Sequence, residues 1–130
     1  MTSSKTHSIL SIDFGERYLG FAIKLKDEST IFPLDVLDTT EHELFDYLKK
    51  HIEKYDPEVI IVGYPLGLSG NESRMSKEVD KFVDLVKARF PVNVIKIDER
   101  FSSKINTSQS TERQDSIAAL NILETYLKNG

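Results

Sequence analysis

The hydrophobic rhythm of this chain changes near residue 40, and that change limits the folds open to it. Before it, Ser8-Ile-Leu-Ser-Ile-Asp13 reads as a short buried strand. From Tyr18 to Leu25 the apolar residues Leu19, Phe21, Ile23 and Leu25 alternate, the period of a second strand. The short gap Phe14-Gly-Glu-Arg17 makes the two an antiparallel hairpin. Ile31 to Leu37 is a third strand, and Pro33 assigns it to an edge because proline cannot donate to a ladder.

After residue 40 the period becomes helical. Leu44, Phe45, Leu48, Ile52 and Tyr55 recur on one helix face, with Thr39 or Thr40 as cap, Glu43 as capping-box partner to Thr40, and Asp56-Pro57 as stop. Val59-Ile-Ile-Val62 is a continuous apolar run, the pattern of a strand covered on both faces. A loop from Gly63 to Gly70 leads to a second amphipathic helix marked by Met75, Val79, Phe82, Val83, Val86 and Phe90, which Pro91 ends. Val92 to Ile97 is a further strand. Phe101 to Ser110 is polar and carries no clear element. A last helix begins near Thr111, where Thr-Glu-Arg-Gln114 forms a capping box, and runs to about Lys128. The expected architecture is α/β: a mixed five-stranded sheet, three antiparallel strands followed by alternating strand and helix, flanked by helices. Residues 1–130 form a single domain, and residues 1–7 are expected to be a flexible N-terminus.

Composition removes several functional classes. The chain has no cysteine, so disulfides and thiolate zinc sites are excluded. No apolar run approaches the roughly 18 residues of a membrane span, and the N-terminus lacks a signal-peptide core. A cytoplasmic location without membrane contact is expected. The net charge of −4 argues against a protein that grips nucleic acid by bulk electrostatics. Residues 74–113 carry nine Lys/Arg against six Asp/Glu, so a local basic surface stays open beside the simpler reading of a mixed, solvated one.

Acidic residues fall where such a topology places ligands. Asp13 ends the first strand, Asp98-Glu99 end the last strand, and Asp115 lies in the first turn of the final helix. On that helix Asp115, Ala119, Ile122 and Tyr126 share the face that packs on the sheet. The first, fourth and fifth strands are expected to be parallel neighbours, and open sheets bind ligands at the carboxyl ends of their strands. Convergent carboxylates repel unless a cation separates them. Oxygen-only donors suit Mg²⁺ or Mn²⁺. Two such ions about 3.5–4 Å apart can activate a water and stabilise the leaving oxygen of a phosphodiester. Each acid also has a plainer reading. Asp13 can cap the turn at Gly15, Asp98-Glu99 can pair with Arg100 on the surface, and Asp115 can favour the helix N-terminus.

Arg17 is either a bidentate phosphate contact or a hairpin surface charge. Arg100 either stabilises charge on phosphate or neutralises Glu99. Ser102, with Ser103, follows the acidic pair and can touch phosphate. The loop from Gly63 to Asn71 offers backbone N–H groups before a helix. His42 and His51 read as solvated residues of an acidic helix. No Walker motif, complete Gly-x-Gly-x-x-Gly or serine-hydrolase arrangement occurs.

Four blocks of the sequence resemble one known family. They are Ile12-Asp-Phe-Gly-Glu-Arg-Tyr-Leu-Gly-Phe-Ala22, then Ile61-Val-Gly-Tyr-Pro-Leu with Gly70, then Asp98-Glu-Arg-Phe-Ser-Ser103, then Asp115-Ser-Ile-Ala-Ala with Ile122-Leu and Tyr126-Leu127. In this order they resemble the YqgF (RuvX) family, described both as Holliday junction resolvases and as nucleases that mature the ends of pre-16S ribosomal RNA. The resemblance implies a ribonuclease H-like fold and a Mg²⁺- or Mn²⁺-dependent endonuclease that hydrolyses phosphodiesters in structured RNA or branched DNA. It implies Asp13, Asp98, Glu99 and Asp115 as metal ligands, with Asp13, Glu99 and Asp115 catalytic and Glu99 preferred to Asp98. It implies Arg17, Arg100 and Ser102 as substrate contacts.

The chain departs from that family between the Asp-Glu-Arg motif and the last Asp. Only Phe101 to Gln114 intervenes, where family members usually carry a longer helical insert with basic residues, and Arg113 is the sole basic residue close to Asp115. Glu16 replaces the usual Thr. These departures motivate an alternative, a catalytically weak or inactive member that binds RNA in ribosome biogenesis. An ATPase lobe sharing the Asp13-x-Gly15 turn is disfavoured, since such enzymes close two lobes over nucleotide and this length supplies one. The expected state is a monomer or weak homodimer; symmetric cutting of a four-way junction would require two sites, hence a dimer.

Overall fold

The structure, a computed structural model, describes residues 8–15, 17–26, 30–64, 74–98 and 114–129. Five strands and three helices follow one another as β1 (Ile9–Asp13), β2 (Tyr18–Lys24), β3 (Ile31–Asp38), α1 (Leu44–Tyr55), β4 (Val59–Tyr64), α2 (Arg74–Arg89), β5 (Asn93–Asp98) and α3 (Gln114–Asn129). The sheet order is β3-β2-β1-β4-β5. β1 and β2 form the expected antiparallel hairpin, with Asp13 opposite Gly20 and Ile9 opposite Lys24. β1 runs parallel to β4, and β4 parallel to β5. β3 is an edge strand, as Pro33 requires, and its pairing with β2 shifts register between Gly20 and Ala22.

The two faces of the sheet bury two separate cores. Leu10, Ile12, Leu19, Phe21, Ile60 and Val62 pack with Leu48 of α1 and with Val79, Phe82, Val83 and Val86 of α2. Ile9, Ala22 and Ile61 pack with Ala119, Ile122 and Leu123 of α3 on the opposite face. Strand alternation produces this division: Ile60, Ile61 and Val62 are all fully buried because successive side chains serve opposite layers. The result is a three-layer α/β/α domain.

Three local expectations are corrected. The N-cap of α1 is Glu43, whose carboxylate accepts from the backbone N–H groups of Phe45 and Asp46, and not Thr39 or Thr40. Thr40 is held elsewhere: its N–H and hydroxyl both donate to Asp38, so the chain turns before the helix instead of inside it. His42 therefore precedes α1 and stays exposed. His51 is half-buried, not solvated: its ring packs against Phe21, Tyr47 and Tyr55, with centroids 5.1, 4.7 and 5.8 Å away. Helical periodicity places His51 one turn from both tyrosines but does not reveal that Phe21 of β2 closes over it. Burial lowers the His51 pKa, and burial beside Asp35 pushes the Tyr47 hydroxyl up to about 12.

At the C-terminal end of α1, Asp56 adopts a left-handed conformation (φ 48°) and its N–H donates to Ile52 O. Ser8 Oγ then donates to Asp56 O, and Glu58 N to Ser8 O, which fixes the start of β4 beside the start of β1. The expected flexible N-terminus (1–7), the loop beyond Tyr64 and the polar 101–113 stretch lie outside the described residues. No helix among the described residues is long and apolar enough to cross a membrane.

Candidate nuclease site

Register brings the ends of β1 and β5 to one edge of the sheet. Val62 pairs with Ile12 on one side and with Lys96 on the other. Asp13 is the next residue of β1. Asp98 ends β5 opposite Tyr64 of β4. With two strand spacings between them, the β1 and β5 backbones stand about 9–10 Å apart.

The third acid arrives from the helix layer. Ser11 Oγ, fully buried, donates to the backbone carbonyl of Ala119 at 2.7 Å and locks α3 onto β1. Ile9, Val59 and Ile31, all at the edge away from Asp13, pack in a cluster whose α3 members are Ala119, Leu120, Ile122, Leu123, Tyr126 and Leu127. Ile97, level with Asp13 at the other edge, packs in the same cluster. Position 115 lies one turn before Ala119, about 6 Å along the axis. Asp13 lies two residues beyond Ser11, about 7 Å along the strand. Each position is thus within two strand residues or one helical turn of the Ser11–Ala119 bond.

For Asp98 and Asp115 the backbone alone is described. Glu99, Arg100 and Ser102 lie outside the described residues. Among the described residues no group of three or more His, Cys, Asp or Glu side chains is gathered closely enough to hold a metal.

Arg17 is engaged within the protein. Its Nε donates to Asp38 Oδ1 at 3.2 Å and its Nη2 to Asp38 Oδ2 at 3.1 Å. Thr39 donates to the Arg17 carbonyl through both its N–H (2.8 Å) and its hydroxyl (2.9 Å). These bonds clasp the β1–β2 turn to the chain leaving β3. The Arg17 guanidinium, with help from the Thr40 N–H and hydroxyl, holds the Asp38 carboxyl far below the usual carboxylate range. Asp38 in turn raises the Arg17 pKa. Sequence reasoning passed over Asp38, because its partner is 21 residues away and only the β2–β3 register brings Tyr18 opposite it.

Gly15 makes the turn possible. A Cβ there would lie 2.6 Å from the Tyr18 carbonyl oxygen, too close for any side chain without backbone movement.

A mixed sheet in the order β3-β2-β1-β4-β5 with helices on both faces defines the class as ribonuclease H-like. The structure of Thermus thermophilus RuvC shares the fold, with a TM-score of 0.60 at 12% identity over 95% of this chain and 96% of that one. The family model described as "RuvX: Holliday junction resolvase" matches residues 7–129, and the chain belongs to that family. It is 33% identical to the "Putative pre-16S rRNA nuclease" of Mycoplasmopsis pulmonis over 92% of each chain. The protein of the same description from Flavobacterium johnsoniae is 31% identical over 93% of this chain and 96% of its own. The chain is accordingly a nuclease, a hydrolase of phosphodiester bonds in nucleic acid.

Proposed function

We propose that the protein is a Mg²⁺- or Mn²⁺-dependent endonuclease that cuts structured RNA at the Asp13 end of the sheet, in the manner of a pre-16S rRNA processing enzyme. The observation that carries this reading is the Ser11–Ala119 bond, which holds α3 on β1 one turn from position 115 and two residues from Asp13. Relatives spanning more than nine-tenths of the chain are described as acting on pre-16S rRNA, which favours RNA. The family description favours branched DNA as the second reading.

The donors proposed for the metal are Asp13, Glu99 and Asp115, with Asp98 beside them. All are carboxylates, which fits a hard divalent cation. Such a cation, when bound, lowers the pKa of water and offsets charge on the leaving oxygen. Glu99 is preferred to Asp98 in the primary role, as the resemblance implies. Ile97 packs toward α3, whereas Lys96 pairs with Asp80 of α2 on the other face. Asp13 has the parity of Ile9 and Ser11, which also face α3. Arg100 and Ser102 are proposed phosphate contacts. In this reading the protein's own contribution is to hold carboxylates from three separated elements together. We propose a cytoplasmic enzyme working as a monomer or weak dimer.

The test is cleavage of precursor 16S rRNA ends, four-way DNA junctions and single strands, with Mg²⁺, with Mn²⁺ and with EDTA. Asp13→Asn should lower cleavage at least 100-fold while leaving the urea midpoint within error of wild type. EDTA should abolish activity, and either ion should restore it. Equal cleavage by wild type and variant refutes the assignment, and cleavage confined to junctions selects the second reading.

A further inference from the structure

The Asp13 end carries a second grouping that the metal chemistry does not use. Along β2, Leu19, Phe21 and Ile23 face the core under α1 and α2, whereas Ala22 faces α3. Tyr18 has the parity of Ala22 and so belongs to the α3 face, the face of Asp13. Asp38 pairs directly with Tyr18 and lies on that face too. Asp13 pairs with Gly20, so Tyr18 stands two residues further out and one strand across, about 8 Å away between Cα atoms.

Tyr18 is 43% exposed at this edge, and the Arg17 guanidinium lies over it, 4.9 Å from the centroid. Asp38 grips Arg17 side-on, through Nε and Nη2. An arginine has five N–H groups, so the two on Nη1 and one on Nη2 remain for another acceptor. The carboxylate sits inside, 21% exposed, and Thr40 gives Oδ1 two further hydrogen bonds; the guanidinium sits outside, 56% exposed. Stability alone accounts poorly for this arrangement. A bidentate Arg–carboxylate pair can steady the turn itself, but the two Thr39 bonds to the Arg17 carbonyl already close the turn onto β3. What the side-chain pair adds is a fixed direction for the free guanidinium edge beside a part-exposed aromatic ring.

We propose that Tyr18, Arg17 and Asp38 form a nucleotide subsite flanking the cleavage centre. A base of a single-stranded RNA segment stacks on Tyr18, and its phosphate takes the free Nη1–Nη2 edge of Arg17. Asp38 is a positioning residue that fixes that edge. The subsite rests on the nuclease reading, since it lies one or two nucleotides from the acids. Stacking of one base on an aromatic side chain is worth about 1–3 kcal/mol, or about 5–150-fold in affinity.

The test is fluorescence anisotropy of a 5′-labelled 12-nucleotide single-stranded RNA in EDTA, alongside cleavage assays. Tyr18→Ala should weaken binding at least 5-fold and raise KM with little change in kcat. Tyr18→Phe, which keeps the ring, should bind as wild type. Asp38→Asn gives the sharper answer, because two explanations predict opposite signs. If the carboxylate only made the local potential more negative, its loss would tighten RNA binding; a positioning role requires binding to weaken, by about 3–10-fold on the scale of one lost charge-assisted contact. An RNA with abasic positions probes stacking without altering the protein: wild type should lose affinity on it, and Tyr18→Ala should lose no more. Unchanged binding by Tyr18→Ala together with tighter binding by Asp38→Asn, in a wild type that binds and cuts RNA, overturns the subsite alone. A wild type that neither binds nor cuts nucleic acid overturns the nuclease reading and the subsite with it.

Discussion

Replacing Gly15 by alanine tests whether the β1–β2 turn is as tightly set as the contacts around it require. The new Cβ would stand 2.6 Å from the Tyr18 carbonyl oxygen and 3.7 Å from its carbon. An ordinary contact needs about 3.4 Å, so the deficit is about 0.8 Å. Neither side can yield cheaply. Tyr18 pairs with Asp38 of β3, and the neighbouring Arg17 carbonyl is held by both Thr39 donors. Overpacking of this kind costs about 1–3 kcal/mol, and the stiffer unfolded chain returns about 0.4–1 kcal/mol. The net expectation is a loss of about 1–2 kcal/mol, which for a chain of this length is a fall of roughly 4–8 °C in Tm. Urea and thermal unfolding measure it. Cleavage should fall further than stability alone explains, because the same turn fixes Arg17 relative to Asp13. A Tm within about 1 °C of wild type, with full activity, would show that the turn opens freely and that the contact geometry sets nothing.

Two further substitutions probe the layers that hold the site. Ser11→Ala removes the buried hydrogen bond to Ala119 and should cost about 0.5–1.5 kcal/mol by urea denaturation, with a reduced cleavage rate as α3 loses its lock on β1. His51 should make stability depend on pH in a defined sense. Its folded pKa lies below the unfolded value of 6.5 because burial among Phe21, Tyr47 and Tyr55 disfavours the imidazolium. The unfolded chain then binds more protons in the interval between the two pKa values, so the contribution is present above about pH 6.5 and is lost as pH falls below it. Asp35 opposes the shift and Lys54 reinforces it. The free energy of unfolding, measured from pH 8 to pH 5, should fall more steeply for wild type than for His51→Phe; parallel profiles would contradict the burial argument.

The order and kind of the elements were legible along the chain, because alternation of two and recurrence near 3.6 residues are local consequences of burying one face. The sequence placed Pro33 on an edge strand, since a missing N–H cannot serve a central ladder, and β3 is at the edge. It also placed acids at the ends of the first and last strands and at the start of the last helix, because strand ends are marked by where apolar runs stop. Local competition was less legible. Glu43, and not Thr40, caps α1, since Asp38 had already engaged both donors of Thr40.

Tertiary structure alone decided the rest. Ser11 and Ala119 are 108 residues apart, and their bond, not the helix period, sets where α3 rests on β1. Arg17 and Asp38 meet through the β2–β3 register, and Phe21 reaches His51 only when α1 lies on the sheet. Periodicity records which side of an element is buried; it carries no information about which distant residue covers it. That pairing depends on register and packing direction, which form only when the layers close.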